Sequence, residues 1–249
     1  MEFENTLLDD FIAAMQKGEL VSFSDIRVNI FPSNGRQIVM ATDMLRDPIQ
    51  RHHRNGKFYE AMELELLKDR FPANGVFVDI GANVGNHSVF VATHLDPSRV
   101  IPFEPNPLAY KLLLANIHLN GLTDRFDLSN IGFGAGSEPS GGFGMQAVSR
   151  NLGGAKMIEG SGDIQITTGD IALSKTNVDL IKIDIEGMEM LALAGLKETL
   201  KRCRPNLMVE VTQENYDAFE QYVAVVGYEI ETLREIEGNK NYFMRPKSV

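Results

Sequence analysis

Acidic residues stand at or near the ends of four strands that the sequence predicts for a parallel sheet. They are Asp79, Glu104, Glu210 and the neighbouring pair Asp184 and Glu186. Because ligands of open parallel sheets bind beyond the carboxyl ends of the strands, we expect these carboxylates to face one site. A single acid at a strand end is often only a helix cap or an ion-pair partner. The same feature on four strands favours a binding or catalytic site over chance.

A glycine-containing turn, Gly-Ala-Asn-Val-Gly at residues 81–85, follows the first of these strands. A dinucleotide-binding turn has a second glycine where this chain has Asn83, because the backbone there must approach a pyrophosphate. Gly81 and Gly85 still permit a tight turn against a ligand. Asn83 therefore disfavours a nicotinamide-dependent oxidoreductase and favours a nucleoside ligand without phosphates.

Two of the strand-end acids narrow the class of nucleoside. Glu104 ends the strand that follows the turn, where a carboxylate can accept hydrogen bonds from both hydroxyls of a ribose. Asp79, just before the turn, is placed to meet an amino group. A ligand with a ribose, an ammonium group and no phosphate points to S-adenosylmethionine.

The stretch Lys-Ile-Asp-Ile-Glu-Gly-Met-Glu, residues 182–189, carries the candidate catalytic groups. In an extended strand Lys182, Asp184 and Glu186 point to one face. A neutral hydroxyl is a poor nucleophile, so methyl transfer to it benefits from a base within hydrogen-bond reach. We expect Asp184 to be that base, with Lys182 and Glu186 beside it. The alternative is an internal ion pair of Lys182 with Asp184 or Glu186 that orders the strand end.

Other polar residues near this edge have less definite roles. Glu186, Glu189 and Glu210 could orient a substrate hydroxyl. Clustered carboxylates raise the question of a divalent cation, but no ligand spacing indicates one and no metal is predicted. His87 either opens a helix or serves as a base, and the pattern assigns it no role.

The first part of the chain predicts a short extension. Thr6 and Asp9 resemble a capping box, and apolar residues at helical spacing predict a helix that Gly18 ends. Residues 26–40 predict a small hairpin, and residues 57–71 a second helix. The basic stretch at 51–57 is interpreted as a solvated loop or as an edge that attracts an anionic acceptor.

From Val76 onward strands alternate with helices, which predicts a parallel sheet covered on both faces. The last two strands follow one another without a helix and predict an antiparallel hairpin. Residues 135–170 are rich in glycine and serine and predict an irregular segment with one short strand around 163–167. We expect this segment, and Arg150, Asn151 and Lys156 within it, to cover an acceptor at the carboxyl edge, unless it is a plain connection.

Composition sets the broad class. The 249 residues are 43% hydrophobic and 23% charged, as in ordinary globular proteins, and the formal net charge of -10 makes nucleic acid an unexpected partner. Cys203 is the single cysteine, so the chain can form no internal disulfide. No apolar run approaches the roughly 20 residues that cross a bilayer. We expect a soluble, cytoplasmic protein whose oligomeric state the sequence does not indicate.

Three stretches together resemble the FkbM family of S-adenosylmethionine-dependent methyltransferases. They are "VFVDIGANVGNHS" (76–88), "FEPNPLAYKLLLANIHLNGL" (103–122) and "VDLIKIDIEGMEMLALAGL" (178–196). The resemblance implies an α/β, Rossmann-like class I methyltransferase fold, with a mostly parallel seven-stranded sheet whose last strand is antiparallel. It places the methyltransferase domain at 57–249, after an N-terminal extension at 1–56.

The resemblance also implies roles for single residues. S-adenosylmethionine would be the cofactor, and a hydroxyl of a sugar, glycan or natural product would be the acceptor. Glu104 would hold the ribose, while Asp79, Gly81, Asn83 and Gly85 would border the methionine end. Two more distant candidates for the adenine are Asn130 and Asp170. A non-catalytic binding module with the same fold is the alternative function.

Overall fold

The computed structural model describes residues 1–147, 150–236 and 238–248. Its N-terminal part contains a helix, a hairpin and two further helices: α1 (Leu8–Gln16), β1 (Arg27–Ser33), β2 (Arg36–Thr42), α2 (Pro48–Arg54) and α3 (Ala61–Arg70). The predicted hairpin is present and antiparallel. The predicted capping box is wrong, because the Thr6 hydroxyl donates to the carbonyl oxygen of Glu2 (2.7 Å) instead of capping α1.

The basic stretch at 51–57, interpreted as a solvated loop or an anion-attracting edge, is the end of a helix (51–54) followed by a turn (55–57). Asp47 caps α2 by accepting a hydrogen bond from the Gln50 amide, and Pro48 occupies the first turn, where proline is tolerated. His53 lies on the inner face of α2 and is fully buried. The side of α2 that carries His53 therefore packs against the rest of the protein, while Arg51 and residues 55–57 are exposed.

Strands and helices then alternate as predicted: β3 (Val76–Ile80), α4 (Asn86–His94), β4 (Arg99–Phe103) and α5 (Pro107–Leu119). The strands are short and almost entirely buried, as expected for strands covered on both faces. Gly85 immediately precedes α4 with a φ of 88°. Its left-handed conformation ends the turn and starts the helix.

The described part of residues 133–172, which includes the segment predicted to be irregular, contains four strands and a short helix: β5 (Phe133–Ala135), β6 (Ser140–Met145), β7 (Met157–Glu159), β8 (Ile164–Thr167) and α6 (Gly169–Ala172). The short strand predicted around 163–167 is β8. The strands form a second sheet in the order β5-β8-β6-β7. Glycine is needed in β6, because a β-carbon at position 144 would lie 2.6 Å from the carbonyl oxygen of Ser161. These glycines remove the alternation by which a strand is predicted.

The last part completes the main sheet: β9 (Leu180–Ile183), α7 (Glu189–Ala194), α8 (Lys197–Cys203), β10 (Asn206–Thr212), α9 (Tyr216–Val226), β11 (Tyr228–Ile236) and β12 (Asn239–Pro246). α7 and α8 are two short helices in succession. Gly195 separates them, since its backbone packs so closely on Gly136 that a β-carbon would lie 2.0 Å from the Gly136 carbonyl oxygen.

The main sheet has six strands in the order β11-β12-β10-β9-β3-β4. Neighbours from β4 to β10 are parallel, and β12 is antiparallel to both of its neighbours. The predicted antiparallel ending and hairpin are therefore confirmed. The sheet was predicted to have seven strands. Beside β4 the structure has two isolated bridges, at Phe126 and Ile131, before the chain enters the second sheet.

The N-terminal residues share a core with the sheet. Phe11, Phe31 and Met40 are buried in one cluster with Phe77 and Phe90. The domain boundary at residue 56 stays a prediction. None of the helices in the described part of the chain combines the length and the apolar character that spanning a membrane requires.

Candidate active site

The turn after β3 is built by backbone contacts with β4 and β9. The amides of Gly81 and Ala82 both donate to the carbonyl oxygen of Phe103 (3.0 Å each). Gly81 has a φ of 85°, Asn83 a φ of 52° and Gly85 a φ of 88°, so the turn enters the left-handed region three times before α4 begins. The turn is thereby fixed at the carboxyl edge of the sheet, as its position in the sequence predicts.

Glu104 connects this turn to the end of β4. One carboxylate oxygen accepts a hydrogen bond from the Asn83 amide (2.7 Å), and the other accepts one from the Asn106 amide (2.8 Å). The side chain is buried, and this burial raises the pKa of Glu104 to about 7. Each carboxylate oxygen still has a lone pair available for a further donor.

A buried ion-pair network lies beneath the turn. Asp79 and Lys182 are directly opposite each other on β3 and β9. The Lys182 Nζ lies 2.8 Å from Asp184 Oδ2 and 3.8 Å from Asp79 Oδ1, and the Ser88 hydroxyl donates to Asp79 Oδ2 (2.7 Å). Asp79 does meet an amino group, as its position suggested, but within this structure that group belongs to Lys182.

The surroundings of Lys182 keep it charged. Burial on its own lowers the pKa of Lys182, but the nearby carboxylates, with Asp184 first and Asp79 second, raise it above its usual value. A lysine that stays protonated cannot accept a proton from a substrate. The ion pair proposed as the alternative role of Lys182 and Asp184 is therefore present in the structure.

A cavity of about 250 Å³ opens at this edge of the sheet. At one end lie the glycine turn and Glu104, which follow β3 and β4. At the other end lie residues that follow or belong to the strands on the opposite side of β3, among them Asp184, Glu186 and Glu210. The cavity thus spans the width of four neighbouring strands, β4, β3, β9 and β10, and its two ends differ in chemistry.

Glu60 joins the second end of the cavity, and sequence reasoning missed it. It immediately precedes α3 with a φ of 55°, and its side chain does not cap that helix. The Asn86 side chain hydrogen-bonds both the amide and the carbonyl of Tyr59 (2.9 and 3.0 Å) and so fixes the backbone next to Glu60. The Glu60 carboxylate is directed toward the cavity instead, where its side chain is 10% exposed.

Carboxyl groups at this end hold their protons strongly. Burial, followed by the charge of Asp184, raises the pKa of Glu60 to about 8 and the pKa of Glu210 to about 7. The same two causes raise the pKa of Glu186. Asp184 is therefore the central group of this end of the cavity, with three other carboxyl groups around it.

His87 also lines the cavity. Its side chain is 5% exposed, and its Nε2 lies 3.6 Å from Glu60 Oε2 without a hydrogen bond to any described residue. Burial, and then the charge of Lys182, holds the pKa of His87 well below its usual value. The imidazole is therefore neutral at physiological pH.

A loop from the second sheet closes the cavity from above. Asn151, Leu152, Gly153, Ala155, Lys156 and Met157 line it. The Leu152 amide donates to Asp47 Oδ2 (2.9 Å), so the cap of α2 also anchors this loop. The expected cover at the carboxyl edge is present, although Arg150 is exposed and does not line the cavity. Ser149 of the stretch 149–156 lies outside the described residues.

Several predicted site residues do not line the cavity. The Asp170 carboxylate accepts hydrogen bonds from the amides of Glu198 and Thr199 (3.0 and 2.7 Å) and caps α8. Asn130 is buried beside Ser129, and Gly85 packs on Leu113. Asp79 lies directly below the turn and is fully buried. Of the predicted cofactor residues, the structure brings Gly81, Asn83 and Glu104 to the cavity.

Glu189, which could have oriented a substrate, has a structural role. Its carboxylate accepts hydrogen bonds from the Gly187 amide (2.9 Å) and from the Asn215 side chain, and it is almost fully buried. Over the described ranges, no group of three or more histidine, cysteine and acidic side chains is arranged to hold a metal ion.

Comparison with known proteins places the chain in a family. The Methyltransferase FkbM domain matches residues 79–236, more than half of the chain. A hexuronic acid methyltransferase of Haloferax volcanii is 28% identical over 144 residues, which are 55% of this chain and 56% of that protein. The chain therefore matches little more than half the length of this relative.

Two solved structures share the fold. Methyltransferase FkbM of Methylobacillus flagellatus has a TM-score of 0.50 and 18% identity, over 69% of this chain and 43% of that one. A candidate methyltransferase of Streptococcus mutans, solved with S-adenosylhomocysteine, has a TM-score of 0.50 and 12% identity, over 76% and 98% of the two chains. The family match confirms the predicted methyltransferase class and, for that class, S-adenosylmethionine as cofactor. By its strand-end motifs, its fold and this match, the chain belongs to the FkbM methyltransferase family.

Proposed function

We propose that this protein uses S-adenosylmethionine to methylate a hydroxyl group of a sugar, glycan or natural product. The observation that carries the proposal is the link between Glu104 and the glycine turn, which places a carboxylate with available lone pairs at one end of the cavity. Two hydroxyls of a ribose fit such an acceptor. Neither Glu104 oxygen needs to give up its backbone partner to receive them.

The polar groups of the turn fit the rest of the cofactor. The Asn83 side-chain oxygen is buried beside the cavity without a hydrogen-bond partner among the described residues. An ammonium donor of the methionine end would satisfy it, since buried polar atoms are rarely left unpaired. Gly81 lets the ligand approach the backbone of the turn. Asp79 supports this end from below through its ion pair with Lys182.

S-adenosylmethionine supplies an activated methyl group when bound. Asp184 lines the cavity at the other end, with its side chain 32% exposed and one oxygen held by Lys182. Its second oxygen, Oδ1, would accept the proton of the acceptor hydroxyl. Lys182 orients Asp184 through its hydrogen bond and remains charged throughout.

The acceptor is proposed to be a carbohydrate or another small hydroxylated molecule. Support comes from the relative named as a hexuronic acid methyltransferase and from the net charge of -10, which disfavours a nucleic-acid partner. A cavity of about 250 Å³ beneath an anchored loop suits a small ligand better than a duplex.

Calorimetry with S-adenosylhomocysteine tests the proposal. The folded protein should bind it, and Glu104→Ala should weaken binding by about 100-fold, because two ribose hydrogen bonds and a charged acceptor are lost. Glu138→Ala, at an exposed position away from the cavity, is the matched control. A folded protein that releases no heat and shows no thermal shift with this ligand would falsify the proposal.

A further inference from the structure

We propose that the methyl acceptor carries a positively charged amino group, which binds at the second end of the cavity beside Asp184, Glu60 and Glu210. The inference rests on the proposed function and adds the class of acceptor. An amine-bearing sugar or polyol fits this end of the cavity, whereas a uronic acid or another anion does not.

The charges that line the cavity are strongly unbalanced. Its acidic lining residues are Glu60, Glu104, Asp184, Glu186 and Glu210, and its cationic ones are Lys156 and Lys182. Both lysines already have carboxylate partners, and their charges only partly offset those of Glu186, Glu60 and Glu210. Lys182 is held by Asp184 and Asp79, and the Lys156 Nζ donates to Glu214 (3.3 Å), which does not line the cavity.

The cofactor does not remove this imbalance at the acceptor end. S-adenosylmethionine brings one net positive charge, and its ribose is assigned to Glu104 at the end of β4. Glu210 lies on β10, three strands away from β4, where its carboxylate accepts a hydrogen bond from the neutral Asn239 side chain. Glu60 reaches the same end from the turn before α3. Lys182 is the cation that faces these acids, and its charge leaves the pKa of Glu60 and the pKa of Glu210 raised.

Burial makes the imbalance costly when these groups ionise. Like charges in a partly buried site repel each other, and each loses hydration that a cation would replace. The pKa of Glu60 and the pKa of Glu210 are raised by burial and by Asp184, as described above. An ammonium group among them would let them ionise and would form charge-assisted hydrogen bonds.

His87 gives a second, independent indication of a ligand at this place. The side chain is 5% exposed, and Nε2 lies 3.6 Å from Glu60 Oε2 but has no hydrogen-bond partner among the described residues. In the tautomer with a lone pair on Nε2, the imidazole accepts a hydrogen bond from an ammonium group. A cation between His87 and Glu60 would therefore satisfy a buried polar atom and a carboxyl group together.

Three matched sugars distinguish this proposal from an unselective or anion-binding cavity. Methyl glucosaminide, methyl glucoside and methyl glucuronide would each be titrated by calorimetry into the protein saturated with S-adenosylhomocysteine. We expect the amine to bind about tenfold more tightly than the neutral sugar and the acid to bind more weakly than the neutral sugar, since charge pairs at this depth discriminate by over 1 kcal/mol. Glu210→Gln should reduce the preference for the amine several-fold, whereas Glu138→Gln should leave it unchanged.

The following outcomes would contradict the proposed amine-bearing acceptor. Equal affinities, a preference for the glucuronide, or no binding of the glucosaminide while S-adenosylhomocysteine binds would overturn the acceptor class and leave the proposed function standing. A folded protein that binds no S-adenosylhomocysteine would overturn both. A preference for the amine that persists in Glu210→Gln and in Glu60→Gln would place the cation elsewhere and would also refute this site.

Discussion

Gly81 lies so close to Asp184 that a β-carbon at position 81 would stand 1.9 Å from the Asp184 carbonyl oxygen. The Asp184 amide, in turn, donates to the carbonyl oxygen of Ile80 (3.0 Å). The turn proposed to hold the cofactor and the residue proposed to receive the acceptor proton therefore share one backbone contact. A substitution that moves the backbone at Gly81 should therefore also move Asp184.

Gly81→Ala should disrupt both parts of the site. The methyl group forces the ends of β3 and β9 apart, and the alanine must also adopt a φ of 85°. Overpacking and left-handed backbone together cost about 2 to 4 kcal/mol. We expect a melting temperature lower by several degrees and a loss of S-adenosylhomocysteine binding in calorimetry.

Gly121→Ala is the matched control for this variant. Gly121 has a φ of 64°, but no atom lies within 4 Å of the position that its β-carbon would take. It carries the backbone strain without the steric clash, so it should lose about 1 kcal/mol and keep its affinity for the ligand. Equal effects of the two substitutions would show that the contact with Asp184 is unimportant.

The affinity for S-adenosylhomocysteine should depend on pH through Glu104. Burial raises the pKa of Glu104 to about 7 in the free protein, and ribose hydroxyls donate to the ionised form. Binding therefore favours loss of the Glu104 proton, and affinity should fall as pH decreases below about 7, approaching tenfold per pH unit. Calorimetry between about pH 6 and pH 8 measures the slope, because the ligand itself changes no charge there.

Glu104→Gln distinguishes the pH dependence caused by Glu104 from that caused by the other acids of the cavity. The amide keeps one acceptor oxygen but cannot ionise, so its affinity should be low and should change little over the same pH range. If the variant keeps the slope of the wild-type protein, the titrating group lies elsewhere, and Glu60 and Glu210 would be the next to substitute.

Part of this site could be predicted from the sequence because its geometry is local. Glu104 and Asp184 each follow a buried strand, and parallel strands bring their carboxyl ends together. Asn83 stands in a turn whose glycines are visible in the sequence. Such residues are positioned by the strand that immediately precedes them, so the order of elements is enough to place them.

Glu60 could not be predicted in the same way. It is aimed at the cavity because Asn86, from a helix that follows β3, hydrogen-bonds the backbone of Tyr59. That contact joins residues far apart in the chain and has no periodic signal. Asp170 does not reach the cavity for the opposite reason, since a short polar side chain near a strand end also caps helices, and here it caps α8.

The free protein should lose stability as pH rises, against the usual direction for paired acids. Glu60 and Glu210 have pKa values near 8 and 7 in the folded chain, compared with 4.5 as the ordinary value. The folded state then binds more protons than the unfolded state between about pH 5 and pH 8, so the free energy of unfolding decreases over this range. We expect about 1 to 2 kcal/mol for each group, measured by chemical denaturation.

Glu210→Gln tests that linkage directly. The glutamine amide oxygen can still accept the hydrogen bond from Asn239. The substitution removes the ionisable carboxyl group. The variant should match the wild type near pH 5 and exceed its melting temperature by a few degrees near pH 8. Exposed Glu138→Gln should follow the wild-type curve at both ends. A wild-type melting temperature that rises steadily across the range would contradict the linkage.

Lys182 should stabilise the fold by compensating the buried negative charge of Asp79. Asp79 is fully buried with Ser88 and Lys182 as its polar partners, so Lys182→Met leaves a buried carboxylate uncompensated. Removing one member of a buried pair destabilises by about 3 to 5 kcal/mol.

The double variant Lys182→Met with Asp79→Asn should recover part of that loss, because no charge is then buried below the turn. We expect a coupling energy of about 1 to 3 kcal/mol from the four denaturation curves. Lys68→Met, which breaks the exposed pair with Glu65, should lose less than about 1 kcal/mol and serves as the control for a surface pair. Strictly additive losses at positions 79 and 182 would mean that the 3.8 Å contact contributes nothing to stability and that Lys182 is retained for another purpose.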